Sequence, residues 1–176
     1  MINCSTSFYN EPIFNDEKLN PTCRTLHLVN FDYELYRNRG NENRKGKCYI
    51  IRKGCHRKDL PNSFDGPIID ELSERERVDV FNKCKYCISY DTQTFYAQIA
   101  AYCGCISIVI PEPGKSKSDY LGKGDDIYGV AYGLEDEEIQ NAISTMWRAR
   151  ERIDAFQSKN ERNVDKFIAV CKEVYK

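Results

Sequence analysis

The length, composition and charge of the chain are those of an ordinary globular protein. Its 176 residues are 41% hydrophobic and 30% charged, with a formal net charge of -1. This length suits one α/β domain with a modest tail, and the charge gives no electrostatic reason to expect nucleic acid as a partner. No apolar run approaches the roughly 20 residues needed to cross a bilayer, and the N-terminus lacks the basic and apolar regions of a signal peptide. We therefore expect a cytoplasmic protein.

Nine cysteines are present, and two close pairs have spacings that occur in metal sites. The odd number and the apolar surroundings argue against a disulfide framework. The pairs are Cys84 with Cys87 and Cys103 with Cys105. A structural zinc ion needs four ligands that converge from loops or knuckles, whereas Cys87 begins an apolar strand and Cys103 ends an apolar helix. We therefore predict small core residues and no metal site.

The N-terminal region, residues 1–46, is the least regular part of the sequence. Asn, Asp and Pro are scattered through residues 10–21, and residues 38–46 form a polar loop that contains glycine. Between them, residues 25–31 alternate polar and apolar side chains as a half-exposed strand would. We predict an irregular N-terminal segment, 1–46, that packs on a domain formed by residues 47–176.

Apolar runs from Lys47 onwards predict the strands of that domain. Residues 48–52 are β-rich and end at Lys53-Gly54, as a buried strand feeding a loop would. Residues 86–89 form a second run, and residues 68–70 a further short strand or extended segment. The run 106–110 is almost wholly apolar and stops at a proline, which is typical of a strand covered on both faces of a parallel sheet.

Helical segments alternate with these strands. Ser73 and Glu76 form a capping box, after which Val78, Phe81 and Cys84 recur on one helical face. A second helix is predicted from Thr94 to about Cys103, followed by Gly104 at the position where a positive φ is favourable only for glycine.

The C-terminal part completes the pattern. Residues 128–133 predict a last strand, and Asp136 caps a helix that continues to about Ile153. The same spacing from Val164 to Tyr175 predicts a separate final helix. The whole pattern predicts an α/β fold: a Rossmann-like doubly wound parallel sheet flanked by helices, with a C-terminal helical tail.

Ligands of such sheets bind beyond the carboxyl ends of the strands. Three segments fall there: 52–54, 68–70 and 89–94. The third turns directly into a helix start, where unpaired backbone N–H groups and the helix dipole favour an anion. Arg52 and Lys53 could add two positive charges, which together would suit a diphosphate. Solvated basic residues and an ordinary helix cap account for the same residues equally well.

Four stretches of this region resemble the donor-binding domain of GT-B glycosyltransferases, in particular bacterial enzymes of surface-polysaccharide and lipopolysaccharide-type assembly. They are Tyr49–Gly54, Ile88–Tyr96, Ala100–Pro111 and Asp126–Gly133, in that order. The resemblance extends from about Lys47 to Ala142. It implies a nucleotide-sugar-binding domain, the C-terminal half of a glycosyltransferase.

The resemblance also implies roles for individual residues. Arg52 and Lys53 match the catalytic basic pair that neutralises the donor diphosphate as it leaves. The place of the nucleoside base is matched by Ile69 and Asp70. The residues that match the element in contact with the diphosphate and sugar are Tyr90, Asp91, Thr92, Gln93, Thr94 and Phe95. Enzymes of this type generally need no cofactor and no bound metal, and no acidic Asp-x-Asp pair suited to a metal is present.

Two departures from the family pattern bear on mechanism. Many retaining members carry two glutamates eight positions apart, whereas here Asp91 is followed eight residues later by Ile99, and Gln93 by Ala101. The stereochemistry of transfer is therefore open. A complete enzyme also has an acceptor domain, which residues 1–46 cannot form. We expect a partner chain or a homodimer to supply it, with contact to the inner face of a membrane only through such a partner.

Three functions are compatible with these sequence features. The first is an enzyme half that transfers sugar from a nucleotide-diphosphate sugar. The second is a non-catalytic nucleotide-binding or interaction module derived from such a domain. The third is an unrelated receiver or flavodoxin-like protein, which would need an acidic metal cluster or a flavin loop at the strand ends, and neither is evident. The two histidines, His27 and His56, lack a demonstrable place beside an acceptor and receive no role.

Overall fold

The computed structural model describes residues 3–6, 25–28, 31–121 and 127–174. The chain divides into two compact units: residues 33–151 form one, and residues 1–32 with 152–176 form the other. The described helices and strands, in chain order, are β1 (Asn3–Thr6), β2 (Thr25–Leu28), α1 (Tyr33–Tyr36), β3 (Lys47–Ile50), a 3-10 turn (Arg52–His56), α2 (Glu74–Lys83), β4 (Tyr86–Ser89), α3 (Phe95–Cys103), β5 (Ile106–Val109), a second 3-10 turn (Lys117–Asp119), β6 (Val130–Tyr132) and α4 (Asp136–Val174).

The unit formed by residues 33–151 is built on a four-stranded parallel sheet with the order β3-β4-β5-β6. A short extended segment lies on the outer side of β3, where Ile68 forms an isolated parallel bridge with Tyr49. The Tyr49 N–H donates to the Pro67 carbonyl, and the Ile69 N–H donates to the Tyr49 carbonyl, each at 2.9 Å. The predicted Rossmann-like parallel sheet is therefore confirmed.

The path of the chain across the sheet reverses at β3. From β3 the chain first moves outward to the bridge at Ile68, and then returns through α2 to β4 on the other side of β3. Such a reversal opens a crevice at the carboxyl ends of the two strands that flank it, and ligands of open α/β sheets bind there. The carboxyl ends of β3 and β4 are thus the expected binding edge of this unit.

The sheet is covered on both faces, as its apolar strands require. Ala97 and Ala101 of α3 pack with Val109, Val130 and Tyr132 in one buried cluster. The alternate residues of the same strands, Ile108 and Ala131, pack instead against Ala142 of α4. Side chains of a strand alternate between the two faces, so α3 and α4 lie on opposite sides of the sheet.

The helix termini follow the sequence signals. The Ser73 hydroxyl accepts from the Glu76 N–H, and the Glu76 carboxylate accepts from the Ser73 N–H, which is the predicted capping box of α2. Thr94 caps α3 through the Tyr96 N–H, and Gly104 ends it at φ +99°. The N-terminal ends of both helices are therefore fixed by local side-chain hydrogen bonds.

The two predicted C-terminal helices are one. α4 runs without interruption for 39 residues, from Asp136 to Val174. The prediction of a separate helix from Val164 is wrong, because the polar residues between Ile153 and Val164 include no glycine or proline to end the first helix. In the other compact unit, β1 and β2 pair in parallel, with Asn3 opposite Thr25.

Candidate functional site

Arg52 leaves the end of β3 in an unusual backbone conformation. Its φ of +34° is the one positive value among the described non-glycine residues. The Asp70 carboxylate holds this conformation: its Oδ2 accepts from the Ile51 N–H at 3.0 Å and from the Arg52 N–H at 2.7 Å. A strained backbone persists only where its surroundings determine it, and such strain is concentrated at functional sites.

The turn after Arg52 packs directly on the end of β4. A Cβ atom added to Gly54 would lie 2.4 Å from the Tyr90 carbonyl oxygen, so only glycine fits at this position without a backbone shift. The N–H of Tyr90 donates to the Ile50 carbonyl at 2.8 Å, which continues the pairing of the two strands to their ends. The 3-10 turn that carries Arg52 and Lys53 is thereby placed beside the start of the β4–α3 connection.

That connection is ordered by its own polar side chains. The Ser89 hydroxyl donates to the Asp91 carbonyl at 2.7 Å, and Asp91 Oδ1 accepts from the Gln93 N–H at 3.1 Å. Thr94 Oγ1 then accepts from the Tyr96 N–H at 3.2 Å. Asp91 is only 2% exposed, so its carboxylate organises the turn from inside the protein.

Two arginines converge on the first turn of α3. The Arg52 guanidinium carbon lies 4.8 Å from the centroid of the Tyr96 ring, and that of Arg77 lies 4.5 Å from the same centroid. Arg77 also donates to the Tyr96 hydroxyl at 2.6 Å and to the Leu72 carbonyl at 2.7 Å. Two positive charges therefore lie against the side chain of a residue in the first turn of α3, and positive charge near a helix N-terminus favours an anion.

The basic pair predicted from the sequence lies at this edge and is open to solvent. Arg52 and Lys53 are both exposed, and neither has an ion-pair partner among residues 31–121 and 127–174. By contrast, the guanidinium of Arg57 is already paired and hydrogen-bonded within the protein. Its guanidinium donates to the carbonyls of Tyr90, Ile110 and Pro111 at 2.7–3.1 Å and forms an ion pair with Asp59.

The ion pair of Arg57 and Asp59 shifts the pKa values of both partners. Arg57 donates to the Asp59 carboxylate, and this interaction raises the pKa of Arg57 and lowers the pKa of Asp59. The Arg57 side chain is 8% exposed and joins the carboxyl ends of β4 and β5. Its role at the edge is structural, since its charge is balanced within the protein.

Two carboxylate oxygens at the same edge have open acceptor positions. Asp70 Oδ1 and Asp91 Oδ2 are buried and form no hydrogen bond in the described part of the chain. A buried acceptor without a donor is unfavourable by about 1–3 kcal/mol, so both oxygens would gain from a hydroxyl or N–H donor. The exposed surface of the edge therefore offers positive charge, at Arg52 and Lys53, which suits a phosphorylated molecule.

The other predicted residues divide between surface and core. Thr92 and Phe95 are half-buried, and Gln93 is exposed. Ile69 is fully buried, so its side chain lies in the core and only its backbone could reach a ligand. His56 is exposed at the end of the 3-10 turn, and the side-chain surroundings of His27 lie outside the described residues.

Three contributors to this edge were not predicted from the sequence: Arg57, Arg77 and Tyr96. Arg77 lies 19 positions before Tyr96, and Arg57 lies 33 positions before Tyr90, so no local spacing links the partners. Arg77 falls within the predicted α2, where an arginine ordinarily indicates a solvated face. The strand and helix starts were visible in the sequence, but the contacts across them depend on sheet order.

The described residues show neither a metal-binding cluster nor a membrane-spanning helix, and no related protein is found. Among the described residues, no group of three or more His, Cys, Asp or Glu side chains is arranged to hold a metal ion. No helix in the described ranges is both long and apolar enough to cross a membrane. Comparison with protein-family models, curated proteins and solved structures finds no match to this chain.

Proposed function

We propose that this chain binds a nucleotide-diphosphate sugar and acts as the donor-binding half of a GT-B glycosyltransferase. The observation that carries the proposal is the placement of Arg52. Its strained backbone is fixed by Asp70, and its guanidinium is directed over Tyr96 at the start of α3. A fixed cation at a helix start is suited to a diphosphate, whose charge grows as the sugar departs.

In this proposal each part of the edge has a chemical task. Arg52 and Lys53 neutralise the diphosphate leaving group, and the N–H groups of the first α3 turn bind its oxygens. The Asp70 and Asp91 carboxylates act from within the protein, where they fix the backbone of the turns that carry Arg52 and Gln93. The reaction would serve polysaccharide or glycoconjugate synthesis.

A separate domain or chain would hold the sugar acceptor. An exposed apolar surface on α4 is evidence for such a partner. Ile143 and Trp147 are 41% and 54% exposed and lie four residues apart on one face of the helix. Sedimentation velocity at high concentration tests this contact. We expect self-association, or capture of an acceptor-domain chain, that a Trp147→Glu variant weakens. A clean monomer that recovers no such chain would contradict it.

The second candidate is a nucleotide-binding module that does not transfer sugar. The residues eight positions after Asp91 and after Gln93 are Ile99 and Ala101, which are buried in α3 and bear no carboxylate, so the second glutamate of many retaining enzymes is missing. Both candidates predict nucleotide binding. They differ in turnover: with the bound donor and an acceptor-domain partner present, the enzyme consumes the sugar donor and the module does not.

The experiment that tests the donor site, which both candidates share, is a thermal-shift screen of the full chain against UDP, GDP, ADP and CMP and their common sugar conjugates. A ligand at about 100 times its dissociation constant stabilises a fold by about 2.7 kcal/mol, which is readily seen. We expect a shift with one nucleoside diphosphate, which an Arg52→Ala, Lys53→Ala double variant loses.

A matched control variant distinguishes loss of this site from the general effect of removing two positive charges. Arg37 and Lys85 are also one arginine and one lysine, both exposed, and they lie away from the carboxyl ends of the strands. An Arg37→Ala, Lys85→Ala variant should keep the full shift. No response of the wild-type protein to any diphosphate, or equal losses in both double variants, would refute the donor-site proposal.

A further inference from the structure

One side of α4 carries a stripe of side chains that is largely open to solvent. Successive members lie four and three residues apart in the sequence, so they follow one face of the helix. This face differs from the one that carries Ala142, which packs on the sheet. Four members are exposed and the last is half-buried. The stripe consists of Asp136, Gln140, Ile143, Trp147 and Arg150.

The two ends of the stripe carry opposite charges. Asp136 and Arg150 form no ion pair with any residue in the described part of the chain. The Arg150 guanidinium donates to the Met146 sulfur at 3.8 Å, which is a weak acceptor and leaves the positive charge unbalanced. A half-buried guanidinium is stabilised by a carboxylate, so Arg150 would gain from an acidic partner outside the chain.

The middle of the stripe is apolar and includes the single tryptophan of the chain. The Arg148 guanidinium carbon lies 5.3 Å from the centroid of the Trp147 ring and 5.3 Å from that of the Tyr128 ring. Tryptophan, tyrosine and arginine are the residues that most often dominate the binding energy of protein interfaces. An apolar centre between charged ends has the composition of a protein–protein contact.

The stripe is complementary to itself when one copy of the helix is turned around. Ile143 lies seven residues after Asp136 and seven residues before Arg150, at the midpoint between the two charges. Antiparallel packing of two copies about a two-fold axis at Ile143 therefore places the acidic end of each against the basic end of the other. In a parallel pair each charged residue would face its own copy, which is unfavourable. The charges thus select a second copy of this chain, in antiparallel orientation.

We infer that this face of α4 is a homodimer interface, in which two copies of the chain pack antiparallel about a two-fold axis at Ile143. Asp136 of each copy forms an ion pair with Arg150 of the partner subunit. Ile143 and Trp147 exclude water between the two ion pairs, and this apolar contact supplies most of the affinity. Either a second copy or an acceptor-domain chain would satisfy the proposed function, and the pairing does not depend on nucleotide binding.

Charge reversal in the full chain tests the inference, with sedimentation velocity over a concentration series as the measurement. Asp136→Lys and Arg150→Glu each place like charges opposite each other at both ends of the dimer, so each should raise the dissociation constant about tenfold. The double variant restores both ion pairs and should dimerise as the wild type does. An equimolar mixture of the two single variants should form heterodimers, because every charge then faces its opposite.

A matched pair of isoleucine variants distinguishes this face from exposed apolar surface in general. Ile143 is 41% exposed on the stripe, and Ile68 is 39% exposed on the segment outside β3. Ile143→Glu places a carboxylate at the two-fold axis, next to that of the partner subunit, and should abolish the dimer. Ile68→Glu removes the same side chain elsewhere and should leave the dissociation constant unchanged.

Several results would overturn the inference. They are a wild-type chain that stays monomeric at high concentration, single variants that dimerise as the wild type does, or a mixture of the single variants that forms no heterodimer. An acceptor-domain chain bound to this face of a monomer would also overturn it. A monomer that still responds to a nucleoside diphosphate would refute the pairing and leave the donor site intact. If Asp136→Lys fails to fold, Arg150→Glu and the two isoleucine variants still decide the question.

Discussion

The Asp70 carboxylate accepts a 2.7 Å hydrogen bond from the backbone N–H of Arg52, whose φ is +34°. One side chain thus holds the strained residue that directs a guanidinium over the first turn of α3. Asp70 lies on the bridge segment outside β3, and α3 follows β4 on its other side. The segment on one side of β3 therefore fixes the backbone of Arg52, and α3 on the other side supplies the Tyr96 ring over which its guanidinium lies.

Removal of the Asp70 carboxylate should affect stability and binding together. Asp70→Ala leaves two backbone N–H groups without their acceptor, so we expect the free energy of unfolding to fall by about 1–3 kcal/mol. Nucleotide affinity should also fall, because Arg52 is no longer held. Urea unfolding and thermal shift measure the two effects. Asp79→Ala, which removes an exposed ion pair with Arg39, should change stability by at most about 1 kcal/mol and leave binding intact.

Replacement of Arg52 by glycine should separate the effect of its backbone strain on stability from the effect of its charge on binding. Glycine adopts a positive φ freely, so Arg52→Gly should keep or raise stability by up to about 1 kcal/mol while it abolishes the diphosphate response. Asp79→Gly, in the middle of α2, should instead lower stability by about 1 kcal/mol and retain the response. Equal destabilisation of both variants would contradict a strained Arg52.

The close approach of Gly54 to Tyr90 predicts that even a methyl group is harmful there. In Gly54→Ala the new Cβ would lie 2.4 Å from the Tyr90 carbonyl oxygen, so the turn must shift. We expect a loss of roughly 1–3 kcal/mol in the free energy of unfolding and weaker nucleotide binding. Lys53→Ala, one residue earlier and exposed, should change stability by no more than about 0.5 kcal/mol. Wild-type stability of Gly54→Ala would show that the turn lies farther from β4.

The ion pair of Arg57 and Asp59 predicts an acid dependence of stability. The pKa of Asp59 is lowered in the folded protein, so its contribution is complete above the ordinary aspartate pKa of about 4 and is lost as the pH falls through the folded value. At pH 7, Asp59→Asn should destabilise the protein, because it leaves the Arg57 guanidinium without its carboxylate. Below about pH 4 the wild type and the variant should converge. A gap that stays constant down to pH 2 would contradict this assignment.

Local signals in the sequence determined most of the secondary structure. The strands, the capping box at Ser73 and the glycine end of α3 at Gly104 depend on neighbouring residues only. The same reasoning failed where no local signal existed. The stretch between Ile153 and Val164 interrupts the apolar pattern, but it contains no glycine or proline to end a helix, and α4 continues through it.

The sequence by itself also placed Arg52, Lys53 and the 89–94 turn at strand ends, because carboxyl ends of parallel strands share one edge. Only the tertiary structure decided which side chains meet there. Arg77 reaches Tyr96 across 19 positions, and Ile69, predicted to contact the base, is buried in the core. Such contacts depend on the order of strands and on long-range packing, which no periodicity within one segment contains.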